Sequence, residues 1–254
     1  MELATIVDRF AEGLKAVDYS TQKETKNDRT GETYLPGVKT LREKSFVEEL
    51  MNWWIEAYPT DFDPKGGIKV EVDYVGLPRA KCDLILSSDG SDLVQPEWSI
   101  EVKHIALVGN NGKNNDYGPQ KILSPYLKDR SLIHDIERLR KHGMGKKRAV
   151  IGYSFAYNFI TCADAEVKHP NHLGYVRNIR QVCKSNDPVN GELSVLPMIE
   201  FADEIFLHNG LVKPVITREF HDAWRHPCGG YGHIFGWEIV TSDDLREATS
   251  FSAT

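Results

Sequence analysis

The sequence lacks any apolar run approaching the roughly 20 residues of a membrane-spanning helix. Its first residues, Met1-Glu2-Leu3-Ala4, are acidic at once and lack the charged-then-apolar pattern of a secretory leader. These absences predict a cytoplasmic chain with no membrane segment. Cysteine is sparse: Cys82, Cys162, Cys183 and Cys228 are scattered, with no Cys-x-x-Cys pair, so the spacing supports neither a zinc ribbon nor a disulfide framework. No GxxxxGK[ST] occurs, which excludes a Walker-type phosphate loop. An excess of positive charge is also missing, since 31 Lys+Arg face 37 Asp+Glu for a net charge of −6. That balance weighs against a surface coated with nucleic acid but permits a local positive cleft. A metal site built of carboxylates would itself add negative charge that bound cations offset.

The 254 residues are 41% hydrophobic and 27% charged, which is ordinary for a globular chain and enough to bury a core. Ile6, Val7, Phe10, Leu14 and Val17 predict an amphipathic helix over about 4–17. A polar loop follows over 20–39. Thr40 then opens a second helix whose stripe is Val47, Leu50, Met51, Trp54, Ile55 and Tyr58, stopped by Pro59. Strict alternation over 68–75 predicts a half-exposed strand, 82–86 a more buried one, and 98–105 a third. Residues 131–141 form a helix ended by Gly143, and 148–153 a fourth strand. The simplest arrangement is an antiparallel meander of three strands, with a helix crossing over to return the fourth.

The last third is less periodic. Strands are expected at 193–199, 204–207 and 237–240, while 157–182 shows weak periodicity and the tail from Thr241 frays. With no repeat and no clean linker, 1–254 reads as a single domain with a core at about 40–155. The fold class expected is α/β, a mixed sheet flanked by helices with C-terminal embellishments.

Hydrolysis of a phosphodiester needs an attacking water, charge relief on phosphate and help for the leaving oxygen. A divalent metal held by carboxylates supplies these, and a lysine can position or deprotonate the water. Magnesium is satisfied by two or three acidic groups and retained waters. Asp83 lies in the second strand. Glu101 and Lys103, two apart on the third, point to one face. If these strands form a hairpin, Asp83 comes near Glu101, and a shared cation could sit between them. Acid-x-Lys also occurs at Glu24/Lys26, Asp63/Lys65 and Glu166/Lys168. The Glu101/Lys103 pair differs in its apolar strand and in the lone Asp on the strand before, because unpaired charge is costly to bury. The bland alternative is a solvated strand face with a Glu–Lys ion pair.

The order helix, three strands carrying Ala80-Lys81-Cys82-Asp83 then Glu101-Val102-Lys103, helix, strand resembles the αβββαβ core of the PD-(D/E)xK nuclease superfamily over about 40–155. The position before Asp83 is Cys82 rather than proline. The resemblance implies that Asp83 and Glu101 bind metal and that Lys103 acts on the attacking water. It also implies a glutamate from the first core helix near the metal, for which Glu43 and Glu48 are the candidates. Glu43 competes with a capping-box role, because Thr40-Leu41-Arg42-Glu43 fits that pattern.

The function expected is a metal-dependent DNA endonuclease using Mg2+, with Mn2+ as substitute. The expected form is a type II restriction enzyme acting on double-stranded DNA as a homodimer, because a symmetric site is matched by a two-fold protein. In this scheme 156–254 serve DNA recognition or dimerisation. The alternatives are a repair, recombination or transposition nuclease of the same core, and a catalytically silent nucleic-acid-binding module. DNA-contact candidates are Lys113, Asn114 and Asn115 in the loop from Gly109 to Pro119, and Arg138, Lys146 and Lys147 at helix and strand ends. His104 faces away from Lys103 and reads as a packed or solvated residue. His221, His226, Cys228 and His233 fit no common zinc spacing. Tyr231, Phe235 and Trp237 read as core.

Overall fold

Ile6, Val7, Phe10, Leu14 and Val17 recur at three- and four-residue steps and all are buried, which gives α1 (Leu3–Ser20) its inward face. The computed structural model describes residues 1–20, 31, 37–62, 67–88, 93–109, 111–115, 117–126, 130–168, 173–223, 225, 228 and 230–241. The loop expected at 20–39, the turns at 64–67 and 87–91, Asn110, His226 and the tail after Thr241 lie wholly or largely outside the described residues.

The second helix, α2 (Glu43–Ala57), buries Phe46, Val47, Leu50, Met51 and Trp54. It starts three residues later than expected, because Val38–Thr40 closes a short 3-10 turn first. Within that turn the Thr40 hydroxyl donates to the Gly37 carbonyl at 3.1 Å. Arg42 holds the N-cap position without a side-chain cap, so the capping box does not form and Glu43 is released from it.

β1 (Gly67–Asp73), β2 (Lys81–Ser87) and β3 (Trp98–His104) form the antiparallel meander. The chain then runs through α3 (Tyr117–Leu123) and α4 (Leu132–His142) and returns as β4 (Lys147–Phe155), parallel to β3. α3 falls at the end of the stretch expected to be loop. Beyond β4 lie β5 (Tyr157–Asn158), α5 (Phe159–Lys168), α6 (Leu173–Asn186), β6 (Glu192–Leu193), α7 (Leu196–His208), β7 (Ile216–Ala223) and β8 (Gly230–Glu238). The main sheet is mixed and mostly antiparallel, in the order β1-β2-β3-β4-β8-β7, and β5 pairs with β6 separately. The class is α/β.

The C-terminal third departs from the sequence reading. Only Leu193 of the expected 193–199 strand is extended; 196–199 open α7, and 204–207 lie inside it. Ile199, Ala202 and Phe206 are its buried positions, a helical step hidden in a run too apolar to show alternation. Pro197 fits the first turn, where its missing N–H costs nothing. The expected 237–240 strand begins at Gly230 and ends at Glu238, with Ile239 in an isolated bridge to Val212. The weakly periodic 157–182 stretch contains β5, α5 and most of α6. No helix among the described residues is long and apolar enough to cross a membrane.

Helices cover both faces of the sheet. Phe10 of α1 meets Phe46 of α2, which meets Tyr153 of β4 at 4.5 Å between ring centroids. On the other face Phe206 of α7 meets Trp237 of β8 at 5.4 Å, and Phe235 meets the same indole. Gly152, the register partner of both Lys103 and Phe235, allows that ring to lie flat across β4. A Cβ on Gly152 would stand 2.0 Å from the Phe235 ring. Gly152→Ala is therefore expected to destabilise the chain by roughly 1–3 kcal/mol, the usual cost of overpacking. A thermal melt checks this, and a melting temperature equal to wild type would show that Phe235 has room to swing.

Candidate functional site

The β2–β3 register pairs Leu84 with Ile100, so one step further Asp83 stands opposite Glu101. Both side chains leave the same face of the hairpin, and they touch. The Val102 backbone N–H donates to Asp83 Oδ2 at 2.8 Å, which locks that carboxylate over β3. Glu101 is buried and accepts from the Tyr74 hydroxyl and from Arg138 Nε, the latter at 3.0 Å. Lys103 lies two residues along the same face; its Nζ is 3.0 Å from Asp135 Oδ2 and 3.9 Å from Glu43 Oε1. Asp135 closes the ring through its other oxygen, 2.6 Å from Arg138 Nη2.

Each member is placed by a different element. β2 and β3 supply Asp83, Glu101 and Lys103, and α4 supplies Asp135 and Arg138 from adjacent turns. α2 supplies Glu43 from its first position, where it accepts a hydrogen bond from the His104 N–H. Glu43 is thus the helix glutamate brought to the cluster. Glu48 is half-buried and pairs with Lys44 at 3.8 Å, away from the cluster. In β1, Glu71 lies opposite Asp83 by register and holds φ of 56°, a left-handed conformation uncommon for a non-glycine residue in a strand.

Negative charge dominates. Glu43, Asp83, Glu101 and Asp135 face Lys103 and Arg138, with Lys121 alongside, its Nζ 3.2 Å from the His104 carbonyl. Burial pushes the Asp83 carboxyl up to about 6, against the Glu101 contact and the Val102 N–H, which lower it, and with help from Glu43. Glu101 is raised well above the ordinary range by burial, then by Asp83 and Asp135, with Arg138 opposing. Asp135 is raised by burial against the pull of Lys103 and Arg138. Burial acts to lower Lys103, but Asp135 and Glu43 outweigh it, so its pKa is raised and the ammonium keeps its proton.

Among the described residues no three His, Cys, Asp or Glu side chains form a ready-made metal cage. Magnesium does not require one, because one or two carboxylates plus retained waters suffice. Asp83 and Glu101 are the pair that could supply those carboxylates. The Tyr153 hydroxyl is consistent with it: it is fully buried, has no hydrogen-bond partner, and counts Glu43 and Asp83 as its charged neighbours. An unpaired buried hydroxyl beside two carboxylates fits a hydrated cation.

Asp135, Tyr74 and Tyr153 were not singled out in the sequence. A signal for Asp135 existed: it is an acid buried beside Leu132, Ile136 and Leu139 on the apolar face of α4. Arg138, expected on a DNA path, is instead committed to Glu101 and Asp135. Lys147 starts β4 opposite Trp98, with Lys146 just before it, at the end of the parallel pair away from Lys103. Lys147 reaches Glu2 at 3.2 Å and lies 5.2 Å above the Trp98 ring. Asn115 donates its side-chain amide to the Ala106 carbonyl at 2.7 Å. Lys113 and Asn114 line a cleft shared with α6.

His104 stacks on Tyr153 with centroids 4.6 Å apart, and burial, aided by Lys121 and Lys39, pushes it down to about 3, so it is neutral. His221 is exposed beside Glu219, whereas His233 is buried. Phe235 and Trp237 are buried, and Tyr231 accepts a hydrogen bond from Asn158. All four cysteines are buried and none is in a disulfide; the thiol of Cys162 contacts those of Cys183 and Cys228, a grouping their sequence separation hides.

Comparison of the chain with family models, with curated proteins and with solved structures finds no match.

Proposed function

We propose that the protein is a metal-dependent DNA endonuclease with a PD-(D/E)xK-type site. The observation that carries this is the facing of Asp83 and Glu101 across β2 and β3, with Lys103 beside them and Glu43 arriving from α2. The run α2, β1, β2, β3, α4, β4, with β4 parallel to β3, supports the αβββαβ reading.

Asp83 and Glu101 would hold Mg2+, for which Mn2+ can substitute. When bound, the ion supplies charge relief on the phosphate and a more acidic water. The chain's own residues do the rest. Lys103, charged at neutral pH, cannot accept the water's proton; it donates hydrogen bonds and offsets phosphate charge. Asp135 holds the Lys103 ammonium in place, and Arg138 with Tyr74 fixes one oxygen of Glu101. Hydrolysis forms a bond from water oxygen to phosphorus and breaks the bond to the leaving oxygen; the attacking water gives up a proton to solvent and the leaving oxygen takes one up.

Within this class we favour a type II restriction enzyme acting as a homodimer on double-stranded DNA in the cytoplasm. The test is cleavage of mixed plasmid and phage DNA in Mg2+, in Mn2+ and in chelator, with wild type and with Lys103→Ala of verified melting temperature. Discrete fragments from wild type in either metal, absent in chelator and in the variant, are expected. A smear lost in the variant would keep the nuclease and favour a repair or recombination role. No cutting in either metal would overturn the proposal and leave a binding module.

A further inference from the structure

α6 has a composition unlike the rest of this acidic chain. Its 14 residues, LGYVRNIRQVCKSN, contain no Asp or Glu, yet carry Arg177, Arg180 and Lys184. Val176, Ile179 and Cys183 are its buried positions. The opposite side presents Asn178, Gln181 and Ser185, at steps of three and four residues and so along one face. These three, with Lys113 and Asn114 opposite, line an open cleft of about 520 Å³.

The charges are arranged in the same sense. Arg180 is spent inside the fold, 2.6 Å from Glu166 and over the Phe159 ring. Arg177 is 68% exposed and touches the same carboxylate only at 3.6 Å. Lys184 lies in the open one turn beyond Gln181. The outward face is therefore an amide-and-hydroxyl stripe with Arg177 and Lys184, two turns apart, along one edge.

Its position relative to the candidate site completes the case. β5, against which α6 packs, follows directly on the end of β4, the end at which Lys103 and His104 close β3. The loop leaving β3 is pinned to α6: Asn178 donates to the Asn111 carbonyl at 3.2 Å, and a Cβ on Gly112 would meet the Tyr175 carbonyl at 2.6 Å. Lys39 ties the same parts from beneath, bonding the Tyr175 hydroxyl and the Val108 carbonyl at 3.1 and 3.4 Å.

We propose that α6 is the sequence-reading element, entering the DNA major groove with Asn178, Gln181 and Ser185 at base edges and Arg177 and Lys184 at phosphates. This rests on the nuclease reading above and adds what that site selects. Amide side chains can pair with the adenine edge through both N6 and N7, and a hydroxyl can donate or accept, so the stripe carries the chemistry of direct readout. Cations along one edge of it would meet one phosphate strand and position the helix without choosing sequence. The major groove of B-form DNA admits an α-helix, whereas that of A-form RNA is too narrow, so the ligand is duplex DNA.

The test is digestion of a random-sequence duplex DNA library in Mg2+, followed by sequencing of the cut ends, for wild type, Gln181→Ala, Asn178→Ala and Lys184→Ala. Gln181 and Lys184 are exposed, so their variants keep the fold, whereas Asn178→Ala also removes the bond to Asn111; a melt verifies each. Wild-type ends should share a motif. Gln181→Ala and Asn178→Ala should each relax preference at one or two positions by roughly 5- to 150-fold in relative cutting rate. Lys184→Ala should slow all sites alike and make binding less salt-dependent. A wild-type motif unchanged in both amide variants overturns the assignment of α6 and leaves the nuclease intact. Cutting with no motif in wild type does the same. Failure to cut any duplex overturns this proposal together with the nuclease reading.

Discussion

Asp83→Asn is expected to lower cleavage by about three orders of magnitude or more, because a bound metal ion contributes several kcal/mol to the transition state and each 1.4 kcal/mol is a factor of ten. The substitution is a fair one structurally. Asparagine's carbonyl can still accept the hydrogen bond from Val102, so β2 and β3 keep their link. What is lost is the negative charge opposite Glu101. The pH dependence follows from the same group. With its carboxyl pushed up to about 6, Asp83 is increasingly protonated below that value and a proton then competes with the cation. Cleavage is therefore expected to fall as pH drops through about 6, by up to about tenfold per unit for one displaced proton. Stability runs the other way. The folded chain binds more protons than the unfolded one between the ordinary carboxylate value and about 6, so this group's contribution to stability declines as pH rises through that window. Mg2+ should restore stability above it, and Asp83→Asn should remove both the pH effect and most of the Mg2+ effect. Melting curves at pH 5 and 7.5, with and without Mg2+, provide the check. An active Asp83→Asn enzyme would remove Asp83 from the metal site.

Asp135→Leu is expected to be the most damaging single change to stability near the site. Asp135 is only 1% exposed, and each of its oxygens meets a cation, Lys103 at 3.0 Å and Arg138 at 2.6 Å. Removing one partner of a buried ionic network leaves the others uncompensated, at roughly 3–5 kcal/mol. For a chain of this size that lowers the melting temperature by about 6–20 °C. Asp135→Asn keeps the shape and isolates the charge, so its loss should be smaller. Activity should fall in both variants as the Lys103 ammonium loses its anchor. If Asp135→Leu melts within a few degrees of wild type, water already compensates Lys103 and Arg138, and the network is weaker than its geometry implies.

These two residues also mark how far the sequence could be read. Asp83 was visible because a lone acid in the apolar strand Cys82–Leu86 is costly without a partner, and Glu101 and Lys103 because a two-residue step puts both on one strand face. Asp135 carried the same kind of signal, an acid in an apolar helical stripe. Arg138 lies one turn along the same helix, but the other partner, Lys103, comes from β3, more than 30 residues earlier, and local sequence does not show that pairing. Glu43 was visible only as one of two options, since Thr40-Leu41-Arg42-Glu43 is locally consistent with a cap. The short turn at 38–40 starts the helix later and frees the carboxylate. The stretch 196–207 is apolar enough to satisfy either period, and only its packing on the sheet makes it the helix α7.

Local sequence by itself determined the elements whose burial is one-sided: α1, α2, α4, the β1–β2–β3 meander and the return of β4. In those elements a stripe or an alternation states which face is inward, and connection length limits which neighbours can pair. Tertiary structure alone decided which polar groups meet. Facing carboxylates, the Lys103–Asp135–Arg138 ring, the unpaired Tyr153 hydroxyl and the acid-free face of α6 beside the 107–115 loop join residues far apart in the chain. The physical reason is that hydrophobic patterning acts over one or two turns, whereas the energy of a buried charge depends on every group within several ångströms, whatever its place in the sequence.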